Sequence, residues 1–192
     1  SPDAPTDADT GRDDAVMTVD EAITAARRTF GTKDLRYAEA LELGAEVGAG
    51  AGMPETAQAR FNAALEVLST AGIKGYPLAH LLTHHAAFRR AQGDVGGAAH
   101  AYFAAIEAGS EATAASARAE SALAYTALAE LSLEAGRVGD ARALGERSLA
   151  RWVALRQARR AEVADALAVT GSAALRGGHA DESVGYLELA CD

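Results

Sequence analysis

Apolar residues recur every three or four positions over most of the chain, in blocks that end at glycine, which is the period of amphipathic helices. The first block covers residues 18–30, with Thr18 placed as N-cap, Glu21 three residues on, Ile23 on the apolar side and Gly31 as the stop. Beyond it the pattern predicts four helix pairs, at about 35–47 with 55–70, 78–91 with 95–108, 110–135 with 141–153, and 161–175 with a last helix from about 181. Phe61, Leu65 and Leu68 share one stripe, Tyr102 and Ile106 face inward, and Leu144, Leu149 and Trp152 give their helix a packing side. Pro54 and Pro77 suit first helical turns, and Asp94 and Ser110 are placed as N-caps. Gly48, Gly50 and Gly52 read as the turn of the first pair.

The pairs repeat. Gly52, Gly93, Gly136 and Gly178 lie 41, 43 and 42 residues apart. Each is followed five residues later by a small residue (Ala57, Ala98, Ala141, Ser183), and small residues return at Ala64, Ala105, Ser148 and Ala190. A helix pair that cannot bury its apolar face alone buries it against its neighbour, so this period predicts an all-α solenoid of antiparallel hairpins. The expected organisation is one helical repeat domain over 17–192, with hairpins at about 35–72, 77–109, 111–154 and 159–192. Residues 1–16 are expected to form a disordered acidic tail. Through Asp14 they hold five aspartates, two prolines and no large apolar side chain to offset the entropy of ordering. Val184, Tyr186, Leu187 and Leu189 carry the pattern almost to the end with no polar cap after them. The expectation is excision from a longer protein, or burial of this end in a partner.

Composition narrows the chemistry. Hydrophobic residues make up 49% and aromatics 5%, so burial relies on alanine and leucine, which favour closely packed helices. A net charge of −9 disfavours nucleic acid and anionic membrane surfaces as partners. Cys191 is the only cysteine, which rules out a disulfide framework or a cysteine metal cluster within this sequence. No apolar run approaches the roughly 20 residues that span a bilayer, and a soluble, cytoplasmic setting is expected. Lys33 and Lys74 are the only lysines beside many arginines and alanines, a bias expected of a GC-rich bacterial genome.

The residues at fixed offsets resemble the tetratricopeptide repeats. The third hairpin supplies Tyr125, Leu128, Ala129, Gly136, Ala141 and Ser148, and the fourth Leu167, Gly171, Gly178, Ser183, Leu187 and Ala190. The second supplies Leu82, Ala86, Gly93, Ala98, Tyr102 and Ala105, with His85 at a usual leucine position, and the first Leu41, Ala45, Gly52, Ala57, Phe61 and Ala64. The resemblance covers about 35–191. Two departures stand out: a period of about 42 instead of 34, and no closing proline in any copy. The pattern is most similar to the longer-period variety of bacterial signal-transduction regulators and animal polarity adaptors. The resemblance implies a right-handed superhelix whose first helices line a concave groove for a peptide or partner helix. In that register the groove positions are Glu39, Glu42 and Glu46, then His80, Thr83, His84 and Arg90, then Thr126 and Glu130, and finally Asp165, Ser172 and Arg176.

The glutamate row would attract a basic or amphipathic segment and the histidines would make binding pH-sensitive, although the same spacing also describes a solvated helix face. His80 and His84 have the one-turn spacing of a shared metal, but His100 and His179 lie on other helices and a site needs three or four ligands, so no metal is expected. The glycines at 48, 50 and 52 follow no strand and precede no Gly-Lys-Ser/Thr, so they do not form a phosphate loop. Arg147, Arg151, Arg156, Arg159 and Arg160 with Trp152 form the one basic concentration. It reads either as a phosphate or nucleic-acid site or, more simply, as arginines answering nearby acids beside a partly buried tryptophan. Nothing resembles a nucleophile elbow, and Cys191 has no histidine beside it in sequence, so neither catalysis nor a cofactor is expected. The leading expectation is noncatalytic binding of a protein or peptide. The alternatives are a sensor domain of a larger bacterial regulator and a homodimer formed through Leu187 and Leu189 at the uncapped end.

Overall fold

A computed structural model describes the backbone of residues 7–155 and 160–191, with side chains over 14–155 and 161–191. Among the described residues there are nine helices and no strand: α1 Asp7–Phe30, α2 Leu35–Gly50, α3 Pro54–Ala71, α4 Tyr76–Ala91, α5 Val95–Ser110, α6 Ala115–Glu134, α7 Val138–Leu155, α8 Arg160–Arg176 and α9 Ala180–Cys191.

The four anchoring glycines share one task. Gly52, Gly93, Gly136 and Gly178 all adopt positive φ, between 74 and 82°. After each, the next backbone N–H reaches back five residues to a helix carbonyl: Met53 to Gly48, Asp94 to Arg89, Arg137 to Ser132 and His179 to Ala174. This is the left-handed C-terminal motif that satisfies orphan carbonyls, and it selects glycine because a Cβ is unfavourable at that φ. The repeat of glycine in the sequence is therefore the repeat of one helix stop.

The chain divides into two compact units, Ser1–Pro77 and Leu78–Asp192. In the first, α2 packs on α3 and on α1. Its core joins Ala38, Leu41 and Ala45 of α2 with Ala57, Phe61, Ala64 and Leu68 of α3, all nearly inaccessible. Gly44 lets α1 approach, since a Cβ there would lie 2.5 Å from Ile23 Cδ1. Arg60 of α3 ties the three helices, donating to the Gly44 carbonyl at 2.7 Å and pairing with Asp20 of α1.

In the second unit Ala86 of α4, Ala98, Tyr102 and Ile106 of α5, and Tyr125, Leu128 and Leu131 of α6 belong to one apolar cluster. A second cluster joins Ala122 of α6, Trp152 of α7 and Ala166 of α8, with Leu149 and Val163 against it. α6 contacts α5, α7 and α8, and eleven of its residues are buried.

Several details differ from the sequence reading. α1 begins at Asp7, so the part of the expected tail from Asp7 onward is helical, and residues 1–6 lie outside the described residues. Lack of apolar side chains favours a disordered tail, but acidic sequence also suits the positive end of a helix dipole. Thr18 is consequently mid-helix and not an N-cap; its hydroxyl donates to the Asp14 carbonyl at 2.8 Å. Ser110 closes α5 by donating to Ile106 O, and α6 starts after Ala114 without a side-chain cap. Gly48 and Gly50 lie inside α2, where Gly48 is buried against α3, leaving only Gly52 of the three in the turn. Asp34, not anticipated, caps α2 by accepting from Arg36 N at 2.9 Å, and hydrogen bonding to the Arg36 side chain holds its carboxyl at about 2.

Candidate functional site

In the first unit, helical spacing of three and four sets Glu39, Glu42 and Glu46 along α2, away from the buried stripe of Ala38, Leu41 and Ala45. Glu39 and Glu46 are exposed and Glu42 is half-buried.

In the second unit the polar residues of α4, α6 and α8 are joined from helix to helix. The rings of His80 and His84 on α4 stand 4.1 Å apart between centroids, and His80 Nδ1 lies 3.1 Å from Glu120 Oε1 on α6. Further along α4, Arg90 pairs with both Glu130 and Glu134 of α6. Hydrogen bonding to Glu130 foremost, and then to Glu134, holds the Arg90 guanidinium firmly protonated. Arg176 of α8 donates to the Leu133 carbonyl at 2.8 Å, adding a second donor to the Gly136 N–H that this carbonyl accepts at the end of α6.

These bridges follow the repeat. His80 to Glu120 and Arg90 to Glu130 each span 40 residues, as do Arg60 to Asp20 and Arg142 to Glu182. One period of sequence carries a side chain from a helix to its counterpart in the next pair, so complementary groups about one period apart are a readable signal. It would have found Glu120, a buried acid that the groove positions omit. It also identifies α1, through Asp20 and Arg60, as the counterpart of α3.

Other expected positions are placed differently. Thr83 is half-buried and its hydroxyl turns back to Ala79 O of its own helix. Thr126 is buried and shares a 2.8 Å hydrogen bond with Ser148 of α7, which removes it from any binding surface; α6 is packed on too many sides for that position to be free. Asp165 is exposed and Ser172 half-buried on α8. His85, at the usual leucine position, is only 3% exposed and accepts from Arg89 Nε at 3.1 Å. Burial, reinforced by the Arg89 charge, pushes its imidazole down to about 4, so it is a neutral core residue at physiological pH.

At the far end, Leu187 and Leu189 do not share a face. Leu187 is half-buried beneath Gly171, where a Cβ would come within 2.9 Å of its Cγ, whereas Leu189 is 62% exposed. Trp152 is fully and not partly buried. Arg156 and Arg159 fall outside the described residues, and Arg160 is described only as the first residue of α8. No helix among the described residues is long and apolar enough to cross a membrane.

No family model matches the sequence, and neither does any curated protein. Solved structures do match. BtubC (BKLC) from P. vanneervenii is similar with a TM-score of 0.80 at 19% identity, over 94% of this chain and 72% of that one. A P. anserina protein of nearly identical TPR-like repeats gives 0.68 at 13% identity, over 93% and 85%. MamA gives 0.65 at 17% identity, over 94% and 86%. At such identities the likeness establishes the fold: an all-α, tetratricopeptide-repeat-like solenoid, as the offsets in the sequence predicted.

Proposed function

We propose that the chain is a noncatalytic scaffold that binds a protein or peptide on the polar faces of its first helices, α2 in the first unit and α4, α6 and α8 in the second, in a cytoplasmic setting. The observation that carries this reading is the helix-to-helix pairing of His80 with Glu120, Arg90 with Glu130 and Glu134, and Arg176 with Leu133 O. These contacts fix polar groups before any partner arrives, so little ordering entropy remains to be spent on binding. On α2 the exposed Glu39 and Glu46 favour a basic or amphipathic segment, and electrostatic attraction of this kind acts chiefly on association rate and specificity. The sensor and self-association readings have no comparable observation behind them.

Affinity capture from a bacterial lysate tests this reading, comparing the parent chain with a Glu39→Lys, Glu46→Lys variant of unchanged helicity. A protein with a basic segment should be retained by the parent and depleted at least about tenfold with the variant, as expected when close charge pairs are reversed. Identical capture by both would refute the role given to α2.

A further inference from the structure

Away from the paired face, α6 and α7 flank a cavity of about 330 Å³ lined by Arg118 and Tyr125 of α6 and by Arg147, Arg151, Ala154 and Leu155 of α7. Among the described residues, three guanidinium groups line it and no carboxylate does. Many other arginines of the chain are answered by acids. Arg36, Arg60, Arg89, Arg90, Arg137 and Arg142 each pair with an acid, whereas among the described residues none of Arg118, Arg147 and Arg151 does. The sequence holds 27 acidic against 18 basic side chains, so acids are not scarce; Arg27, Arg28 and Arg176 also pair with no acid among the described residues, but Arg118, Arg147 and Arg151 are gathered at one cavity. The simpler expectation for this basic concentration therefore fails for Arg147 and Arg151.

Arg151 is already oriented. Its Nη2 donates to Ser110 Oγ at 3.0 Å, and its guanidinium carbon lies 5.0 Å from the centroid of the Tyr125 ring. Arg147 stands one turn away on the same helix, and Arg118 reaches in from the neighbouring helix, with both side chains exposed enough to adjust. A planar guanidinium presents donors matched to phosphate and carboxylate oxygens. Three monocations with no internal counter-charge are better balanced by a phosphomonoester, which carries close to two negative charges on three acceptor oxygens, than by a single carboxylate. The apolar lining of Ala154 and Leu155 leaves room beside the head for an organic body.

We propose that this cavity is a binding site for a phosphomonoester, its head among Arg118, Arg147 and Arg151 and its organic body against Ala154 and Leu155. The site uses residues other than those proposed to take a protein partner, although Arg118 and Tyr125 share α6 with that face, so either proposal stands if the other fails. A nucleic-acid backbone is a poorer match, because its phosphodiesters carry one charge each and the chain as a whole repels a polyanion.

Titration of the full chain at low salt decides the matter, with phenyl phosphate and a phosphotyrosine pentapeptide as probes and benzoate and the unphosphorylated pentapeptide as controls. Phenyl phosphate should saturate one site at least about tenfold more tightly than benzoate, and raised salt should weaken it. Arg118→Gln and Arg147→Gln should each weaken it about tenfold or more without changing helicity; Arg151 is left intact because it also holds Ser110 and Tyr125. Tighter binding of the phosphopeptide would identify a phosphorylated side chain as the source, and tighter binding of phenyl phosphate a free metabolite. No saturable binding by either probe, benzoate binding as tightly as phenyl phosphate, or affinity unchanged in the Arg118→Gln, Arg147→Gln double variant would each overturn the proposal.

Discussion

Gly109 of α5 and Gly139 of α7 are both helical glycines, and they should respond in opposite ways to one methyl group. A Cβ at Gly109 would sit 2.3 Å from the backbone oxygen of Ala117, which cannot swing aside, so Gly109→Ala should cost about 1–3 kcal/mol in urea unfolding. A Cβ at Gly139 meets nothing within 4 Å, and Gly139→Ala should stabilise by about 0.5–1 kcal/mol through the unfolded state. Equal effects at the two sites would contradict this packing. His85 makes a different prediction. Unfolded, it takes a proton near 6.5, and folded only near 4, so the unfolded state binds more protons as pH falls through that window. Stability should be level above about 6.5 and fall by about 3 kcal/mol on acidification toward 4. His85→Leu, restoring the residue usual in the resembled repeats, should flatten that part of the profile; an unchanged slope would mean that His85 is not the group responsible. At this scale the sequence was least legible. Thr126 looks like an ordinary surface residue until the helices around α6 are known, and the one signal for Glu120 is His80 a full period away.

At the scale of elements, legibility was high for a definite reason. The left-handed stops at Gly52, Gly93, Gly136 and Gly178 demand one residue type, and so they mark the same point of every helix pair. Caps without such a demand were read less well: Ser110 proved to end a helix and Thr18 to lie within one, because a hydroxyl bonds its own helix as readily as it caps the next. The last helix allows a test of packing. Leu187→Lys should destabilise the α8 and α9 pair by about 1–2 kcal/mol, since a half-buried leucine is lost against Gly171. Leu189→Lys, at an exposed position, should leave thermal stability within about 0.5 kcal/mol. Should Leu189→Lys prove the more damaging of the two, the orientation of α9 would be wrong.

For the whole molecule, the repeat links fold to function. Bridges one period long tie counterpart helices, and on α4, α6 and α8 they also arrange the face proposed to bind. The candidate site was thus half legible. His80, Arg90, Glu130 and Arg176 follow from the register of the resembled repeats, whereas Glu120 is reached only through the one-period spacing, and Glu134 and the Leu133 carbonyl only through stacking. Hydrogen exchange measured on the full chain with and without the partner recovered by affinity capture bears most directly on the proposed binding face. Added protection should fall in the first helices, α2, α4, α6 and α8, with α3, α5, α7 and α9 unchanged. Protection gained chiefly in α3, α5 and α7 would place the partner on the opposite helices and contradict the proposed function.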